Sequence, residues 1–261
     1  MNAAQSGLFT YDVVSGQAEI TAYPAGETGH LDIPVELDGF KVVAITGTSP
    51  TQGAFQGSSL SSVMIPEGVE TLGSHAFYWS RLLAVDFPTS LKRIGAKAFG
   101  LTAIGFDGEA IVLPDGLQEI GEQAFWACDF RQMIIPDSVT AIDNSAFANC
   151  KQMTFLKIGT GTSVLPSGAF ENCDQLKRLE FGEGVVEIGP NCFRGSMIAE
   201  VTFPSTLKTL GNNAFGFSGT SLSINGGALV RAMFKGDAPS SFGRGVFGNR
   251  ASEFVVNFLP N

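Results

Sequence analysis

The sequence predicts a repeat solenoid, a curved stack of units of about 22 residues with a parallel concave β-sheet, short helical turns and β-rich caps. Three observations predict this fold. An Ala-Phe dipeptide returns at a nearly constant spacing, an alternating apolar segment that ends in proline precedes it, and 22 Phe and 32 Gly occur among the 261 residues. Many aromatic residues and many turn-formers together indicate short elements that are regularly interrupted.

The repeat is defined by a phenylalanine and its surroundings. The template is roughly V-x-I-P-x-x-V-x-x-I-G-x-x-A-F, and it covers about residues 43–224. Successive repeat phenylalanines are 22, 22, 26, 22, 23, 23 and 22 residues apart. They are Phe55, Phe77, Phe99, Phe125, Phe147, Phe170, Phe193 and Phe215.

The two ends of the chain depart from the template. Residues 1–45 alternate like a β-hairpin that leads into the first repeat, so we expect an N-terminal β-hairpin cap. Residues 46–226 form the stack of about eight repeats, and 227–261 form a divergent last repeat and a C-terminal cap. We expect the three parts to make one continuous domain.

The first element of each repeat is a strand with one buried face. Val63 and Ile65 alternate with Ser62 and Met64, which is the period of two expected for such a strand. A proline such as Pro66 then ends the strand, because proline has no N–H to donate to the sheet.

The remaining elements complete one turn of the stack. Val69 and Leu72 predict a second extended segment on the opposite wall, and Gly73 marks the bend that follows. We expect the residues before Phe77 to form a short helical turn that places the ring in the interior. Stacked rings would form a continuous spine, and truncation of one ring to Ala would cost roughly 3–5 kcal/mol.

This template resembles the BspA-type, or treponemal-class, leucine-rich repeat. The stretch from Ile20 to Ile45 resembles the leader found before such repeats, and FKGDAP at 234–239 is similar to the closing segment of the family. The resemblance implies a curved parallel solenoid on secreted or surface-attached proteins, mostly bacterial, that are used for adhesion and protein binding. It implies no catalytic residues and no cofactor.

Three cysteines occupy one column of the stack. Cys128, Cys150 and Cys173 each follow a repeat Phe by three residues, at a position where other repeats have Ser or Thr. We interpret them as free, buried thiols in a position that requires a small side chain. A disulfide between neighbouring repeats is the alternative. A metal site is disfavoured, because the spacing matches no ligand motif, and His30 and His75 are interpreted as structural or surface residues.

Composition and charge exclude several classes of partner. The net charge of −9 disfavours nucleic acid, which requires a basic surface. The sequence contains no apolar run of about 18 residues, the length that would predict a membrane span. The N-terminus lacks the features of a signal peptide, so for an extracellular or cell-surface protein we expect the signal and the anchor to lie outside this sequence.

The outward residues of the strands form the candidate binding face. On a parallel stack they line up in two columns across the concave sheet, with an apolar half followed by a charged half. Exposed apolar patches often mark interaction sites, although single exposed apolar residues are normal. The candidate ligand-binding residues are Met64, Val112, Ile134, Phe155, Lys157, Arg178 and Glu180.

A second candidate is the insertion of four residues that follows Phe99. Insertions in solenoids usually fall in loops on one face, and Phe106 and Asp107 would project from this one. The alternative is a tolerated loop extension without a contact role.

The leading functional hypothesis is a non-enzymatic module that binds an extracellular protein or glycan through the concave sheet. The alternatives are a structural spacer and an accessory repeat module of a larger secreted protein, such as a hydrolase. The sequence leaves the ligand, the flanking domains and the oligomeric state open.

Overall fold

The computed structural model describes residues 3–106, 108, 111–216, 229–248 and 250–259. In these ranges the backbone forms a solenoid. Each repeat unit, called a rung below, adds a long strand, a short strand and a turn segment that carries the repeat Phe. The predicted repeat solenoid is confirmed.

Within the described ranges the chain forms 25 strands. In chain order they are β1 Ala4–Ser6, β2 Phe9–Val14, β3 Gln17–Ala22, β4 Thr28–Asp32, β5 Glu36–Leu37, β6 Phe40–Ile45, β7 Gly47–Ser49, β8 Gln52–Gly53, β9 Ser59–Met64, β10 Thr71–Leu72, β11 Ala84–Asp86, β12 Arg93–Ile94, β13 Ile111–Val112, β14 Glu119–Ile120, β15 Gln132–Ile135, β16 Ala141–Ile142, β17 Phe155–Ile158, β18 Val164–Leu165, β19 Arg178–Phe181, β20 Glu187–Ile188, β21 Glu200–Phe203, β22 Thr209–Leu210, β23 Leu229–Phe234, β24 Ser241–Phe242 and β25 Arg250–Phe258.

The long strands of successive rungs pair in parallel. They form three sheets, of which the first contains β4, β9 and β11, the second β13, β15, β17 and β19, and the third β21, β23 and β25. Met133 is in register with Leu156, and Leu156 with Leu179, so equivalent side chains stack along the interior. The sequence predicted one sheet, and its first interruption, between β11 and β13, coincides with the four-residue insertion.

The short strands form a second parallel ladder. β10, β12, β14 and β16 extend the sheet that β1, β2, β3 and β6 begin, and β18, β20, β22 and β24 form another sheet. Leu72 pairs with Ile94, and both side chains are buried. The predicted second extended segment is therefore present in the rungs.

The end segments join the same ladders. β2 and β3 pair antiparallel, β3 pairs in parallel with β6, and β4 pairs in parallel with β9. At the other end β23 pairs in parallel with β21 and with β25. The boundaries 1–45, 46–226 and 227–261 stay predictions, and 217–228 lies outside the described residues.

The repeat phenylalanines stack into the predicted spine. Neighbouring rings from Phe55 to Phe215 have centroids 5.0–5.4 Å apart and lie within 21° of parallel. Tyr23 continues the stack at the N-terminal end, 5.0 Å from Phe55, and Phe247 continues it beyond Phe215. The rings from Phe55 to Phe215 are buried, and Tyr23 and Phe247 at the two ends are half-buried. The spine explains the high phenylalanine content.

The prediction of short helical turns is wrong, because the part of the chain that the structure describes contains no helix. Along the turn that contains Phe77, alternate N–H groups bond within the turn and to the next rung. The N–H of Tyr78 donates to the carbonyl of His75, whereas the N–H of Phe77 donates to the carbonyl of Ala98. His75 and Trp79 also have positive φ angles of 59° and 55°. A helix would need right-handed φ angles and N–H groups that bond four residues back.

Glycines allow the rungs to approach closely. A Cβ added to Gly121 would lie 2.7 Å from the backbone nitrogen of Ala96 on the preceding rung. A Cβ on Gly184 would lie 1.7 Å from the carbonyl oxygen of Thr160. These glycines are therefore required by space between rungs rather than by an unusual φ angle.

Candidate ligand-binding face

The long-strand face consists of the outward residues of the three sheets of long strands. Along β15 the side chains alternate, with Gln132 and Ile134 outward and Met133 and Ile135 buried. The alternation is the consequence of the two-residue period of a strand. The face is therefore fixed by backbone geometry, and its side chains are free to vary.

The structure places the predicted columns in register within each sheet. In the second sheet Val112 pairs with Ile134, Ile134 with Lys157, and Lys157 with Glu180. Met64 lies in the first sheet, opposite Asp86. The seven candidate residues therefore share one face but not one continuous sheet. That this face is the concave one stays a prediction.

The apolar half of the face is centred on two neighbouring strands. The Val112 side chain is 77% exposed, and Ile134, which pairs with it, is 50% exposed. Both side chains are β-branched, and the preference of strands for β-branched residues is enough to explain a single exposed Val or Ile. Two adjacent exposed aliphatic residues form a small apolar surface that water covers in the free protein.

The charged half is organised around Arg178. Its guanidinium lies 5.0 Å from the centroid of the Phe155 ring, and its Nη2 donates to Oε1 of Glu180. Phe155 is consequently half-buried and covered by a cation, so it does not extend the open apolar surface. Lys157 stands exposed between the apolar pair and Glu180. The sequence predicted the position of Phe155 but not that the Arg178 guanidinium lies over its ring.

The insertion opens the face between the first and second sheets. A cleft of about 450 Å³ lies between β11 and β13 and is lined by residues that include Asp86, Ile104 and Val112. Phe87, which lines the cleft, is half-buried like its equivalent Phe181, whereas Ile135 and Ile158 are buried. Phe106 is exposed beside it, and Asp107 lies outside the described residues. A contact role for the insertion stays a prediction.

The face extends into the end segments, which sequence analysis did not predict. Asp32 pairs with Met64, and Thr202 pairs with Met233. His30 lies on the same face, where its Nε2 is 2.8 Å from the carboxylate of Asp32 and its Nδ1 is 2.8 Å from Oγ of Ser62. The alternation of apolar and polar residues over 28–32 could have indicated a further strand of this face, but it was interpreted as part of the N-terminal hairpin.

The cysteines are free and buried, as predicted. The thiol of Cys150 donates to the carbonyl of Phe125 at 3.1 Å, and Cys173 makes the equivalent bond to Phe147 at 3.3 Å. Burial raises the pKa of the Cys150 thiol well above its usual value, which disfavours the reactive thiolate. Among the described residues no three His, Cys, Asp or Glu side chains are grouped to hold a metal ion. In the same part of the chain no helix is long and apolar enough to cross a membrane.

Comparisons with known proteins agree with the geometry. A family model described as the BspA type leucine rich repeat region matches six copies over residues 47–106 and 107–221, more than half of the chain. A leucine-rich repeat protein of T. pallidum is 27% identical, with a TM-score of 0.61, covering 74% of this chain and 89% of its own. One from Bacteroides ovatus is 21% identical, with a TM-score of 0.60, covering 92% and 67%. No curated protein matches.

Proposed function

The chain belongs to the family of BspA-type leucine-rich repeat proteins, and on that premise we propose that it is a non-enzymatic module that binds a protein ligand through its long-strand face. In the proposed setting, the cell surface or the extracellular space, the ligand is a protein of the host or of the surrounding matrix. The adjacent exposed side chains of Val112 and Ile134 are the observation that carries the proposal.

The composition of the face supports this function. An apolar centre that excludes water, bordered by charged groups that select the orientation of the partner, is the usual anatomy of a protein interface. Here Val112 and Ile134 supply the centre, and Lys157, Arg178 and Glu180 supply the border. The rung-to-rung hydrogen bonds hold these residues in fixed register, so little ordering entropy is lost on binding.

The test is binding of the purified protein to an array of extracellular-matrix proteins, with two matched variants. Ile134→Asp places a charge at the centre of the proposed interface. Val164→Asp places the same charge at a 45% exposed strand residue of the short-strand ladder. We expect Ile134→Asp to weaken binding about 10-fold or more, which corresponds to about 1.4 kcal/mol.

The outcome of the control decides the interpretation. We expect Val164→Asp to bind as the unmodified protein does, and both variants to keep its melting temperature, because both positions are exposed. Equal loss in the two variants, or no bound protein on the array at all, would overturn the proposal and favour a spacer role.

A further inference from the structure

A second cleft lies beside the turns that follow the spine, where the long strands β9 and β11 begin. It measures about 630 Å³, within the roughly 300–1,000 Å³ range of small-ligand pockets. The strand-face proposal assigns it no role. Its lining comes from several rungs, and we call it the Trp79 cleft after the residues Ser59, Trp79, Arg81, Leu83, Leu101 and Asp129.

Trp79 is in an unusual backbone conformation for its type. Its φ is 55°, in the left-handed region that favours glycine and asparagine. The equivalent positions of the other rungs also have positive φ angles, and they are Gly57, Leu101, Ala127, Asn149, Asn172 and Gly195. A bulky residue at this position costs backbone energy that glycine or asparagine would avoid.

The Trp79 side chain does not recover that cost by packing. It is 69% exposed, and its ring stacks on no other aromatic ring among the described residues. Leu83 and Leu101 are also exposed, on the same cleft. An exposed indole ring on a rigid turn, with aliphatic neighbours, is a flat platform for a ligand.

Two side chains of opposite charge line the same cleft without pairing. Neither Arg81 nor Asp129 makes an ion pair with any residue in the described ranges. Partial burial raises the pKa of the Asp129 carboxyl, which is consistent with its having no cationic partner. The cleft therefore presents a hydrogen-bond donor group and an acceptor group beside an aromatic ring.

We propose that the Trp79 cleft binds a neutral sugar residue of a glycan. The C–H groups on one face of a sugar ring carry partial positive charge and fit the negative face of the indole. Its hydroxyls both donate and accept, so they bond to the carboxylate of Asp129 and to the guanidinium of Arg81. Arg81 and Asp129 give the lining one positive and one negative side chain, so the cleft has no net charge to attract a cation or an anion, which favours an uncharged polyhydroxyl ligand.

The test is titration of the full chain with the methyl glycosides of glucose, galactose, mannose and N-acetylglucosamine. The sequence contains two tryptophans, so a Trp126→Phe variant makes Trp79 the sole tryptophan fluorophore. We expect at least one glycoside to shift its emission with a dissociation constant of about 1 mM, the range for a ligand of this size.

Variants locate the site and separate it from the strand face. Trp79→Asn should fold, because asparagine occupies the same position at Asn149 and Asn172, and it should weaken binding about 10-fold or more by ligand-observed NMR. Asp129→Asn tests the polar side of the cleft if Trp79→Asn alters the melting temperature. Ile134→Asp should bind the glycoside unchanged, so failure of the strand-face proposal and failure of this one are distinguishable.

Three results would overturn the proposal. One is no response to any of the four glycosides at about 50 mM, far above the expected dissociation constant. Another is equal binding by folded Trp79→Asn and by the unmodified protein. The third is tighter binding of glucuronic acid or glucosamine than of every neutral glycoside, since a charged preference contradicts the argument from Arg81 and Asp129.

Discussion

The phenylalanine spine and the long-strand face are built by the same rungs, yet one is uniform and the other is not. The spine repeats one residue type at ring distances of 5.0–5.4 Å. The face changes from Val112 and Ile134 to Lys157 and Glu180 over four successive strands. Strands about 4.8 Å apart leave space for one ring per rung inside, whereas outward positions need only fit a strand. Scaffold and recognition are therefore separable.

The largest effect we expect is from breaking the spine. Phe147→Ala removes a buried ring that stacks on Phe125 at 5.2 Å and on Phe170 at 5.2 Å. Backbone hydrogen bonds hold the neighbouring rungs in place, so they fill the cavity left by the ring only in part. We therefore expect a loss of about 3–5 kcal/mol in the free energy of unfolding. Urea denaturation followed by circular dichroism measures it.

Phe155→Ala is the matched control on the face. Phe155 is half-buried and contacts Arg178 rather than a ring above and below it. We expect its removal to cost about 1 kcal/mol, the scale of an exposed cation–π contact plus limited burial. Equal losses for Phe147→Ala and Phe155→Ala would mean that the spine does not carry the stability of the stack.

An intermediate effect is expected where two rungs touch through a glycine. Gly184→Ala would place a Cβ 1.7 Å from the carbonyl oxygen of Thr160, which is backbone and cannot rotate away. The two rungs must separate, and we expect a loss of about 1–3 kcal/mol in the free energy of unfolding, as for other overpacked sites. Urea unfolding measures this effect as well.

Gly26→Ala is the control for that substitution. A Cβ at Gly26 meets no atom within 4 Å, and its φ lies outside the left-handed region. We expect the midpoint of unfolding to stay the same or to rise slightly, since alanine restricts the unfolded chain. An unchanged midpoint for Gly184→Ala would show that close approach of rungs is not a constraint at that position.

The sequence was sufficient to predict the features that depend on local pattern. The alternation around Val63, the proline stop at Pro66 and the period of the spine each follow from the chemistry of one segment, and the structure contains them. The columns of the face also follow, because register in a regular stack is set by the period. The breaks in the face were not predicted: one, between β11 and β13, coincides with the insertion, and the other, between β19 and β21, has no insertion beside it.

The features that were missed depend on neighbouring rungs. An Ala-Phe turn has the spacing of a helical turn, but the N–H of Phe77 bonds to Ala98, 21 residues away along the chain. The Trp79 cleft is assembled from residues as distant as Gly57 and Asp129, and no single stretch of sequence contains it. The repeat alignment itself held the available signal, since Trp79 is the largest residue at a position where the other described rungs have Gly, Ala, Leu or Asn.

The smallest expected effect concerns an exposed group that nonetheless connects two rungs. Glu67 accepts hydrogen bonds from the N–H of Thr89 at 2.8 Å and the N–H of Ser90 at 3.3 Å. These bonds hold the pKa of the Glu67 carboxyl below its usual value. A carboxyl whose pKa is lower in the folded state than in the unfolded state stabilises the protein. The full contribution is present at pH values above the unfolded-state pKa of about 4.3, and it is lost as the pH falls through the folded-state pKa.

Glu67→Gln should therefore lower the urea midpoint at pH 7 and have a smaller effect near pH 3, where the unmodified carboxyl is itself protonated in part. Glu187→Gln is the control, because the Glu187 side chain makes no hydrogen bond or ion pair with any residue that the structure describes. A difference between Glu67→Gln and the unmodified protein that grew at low pH would contradict the sign of this coupling. A difference that shrinks would show that the Glu67 carboxylate, although exposed, stabilises the stack by joining its rung to the next.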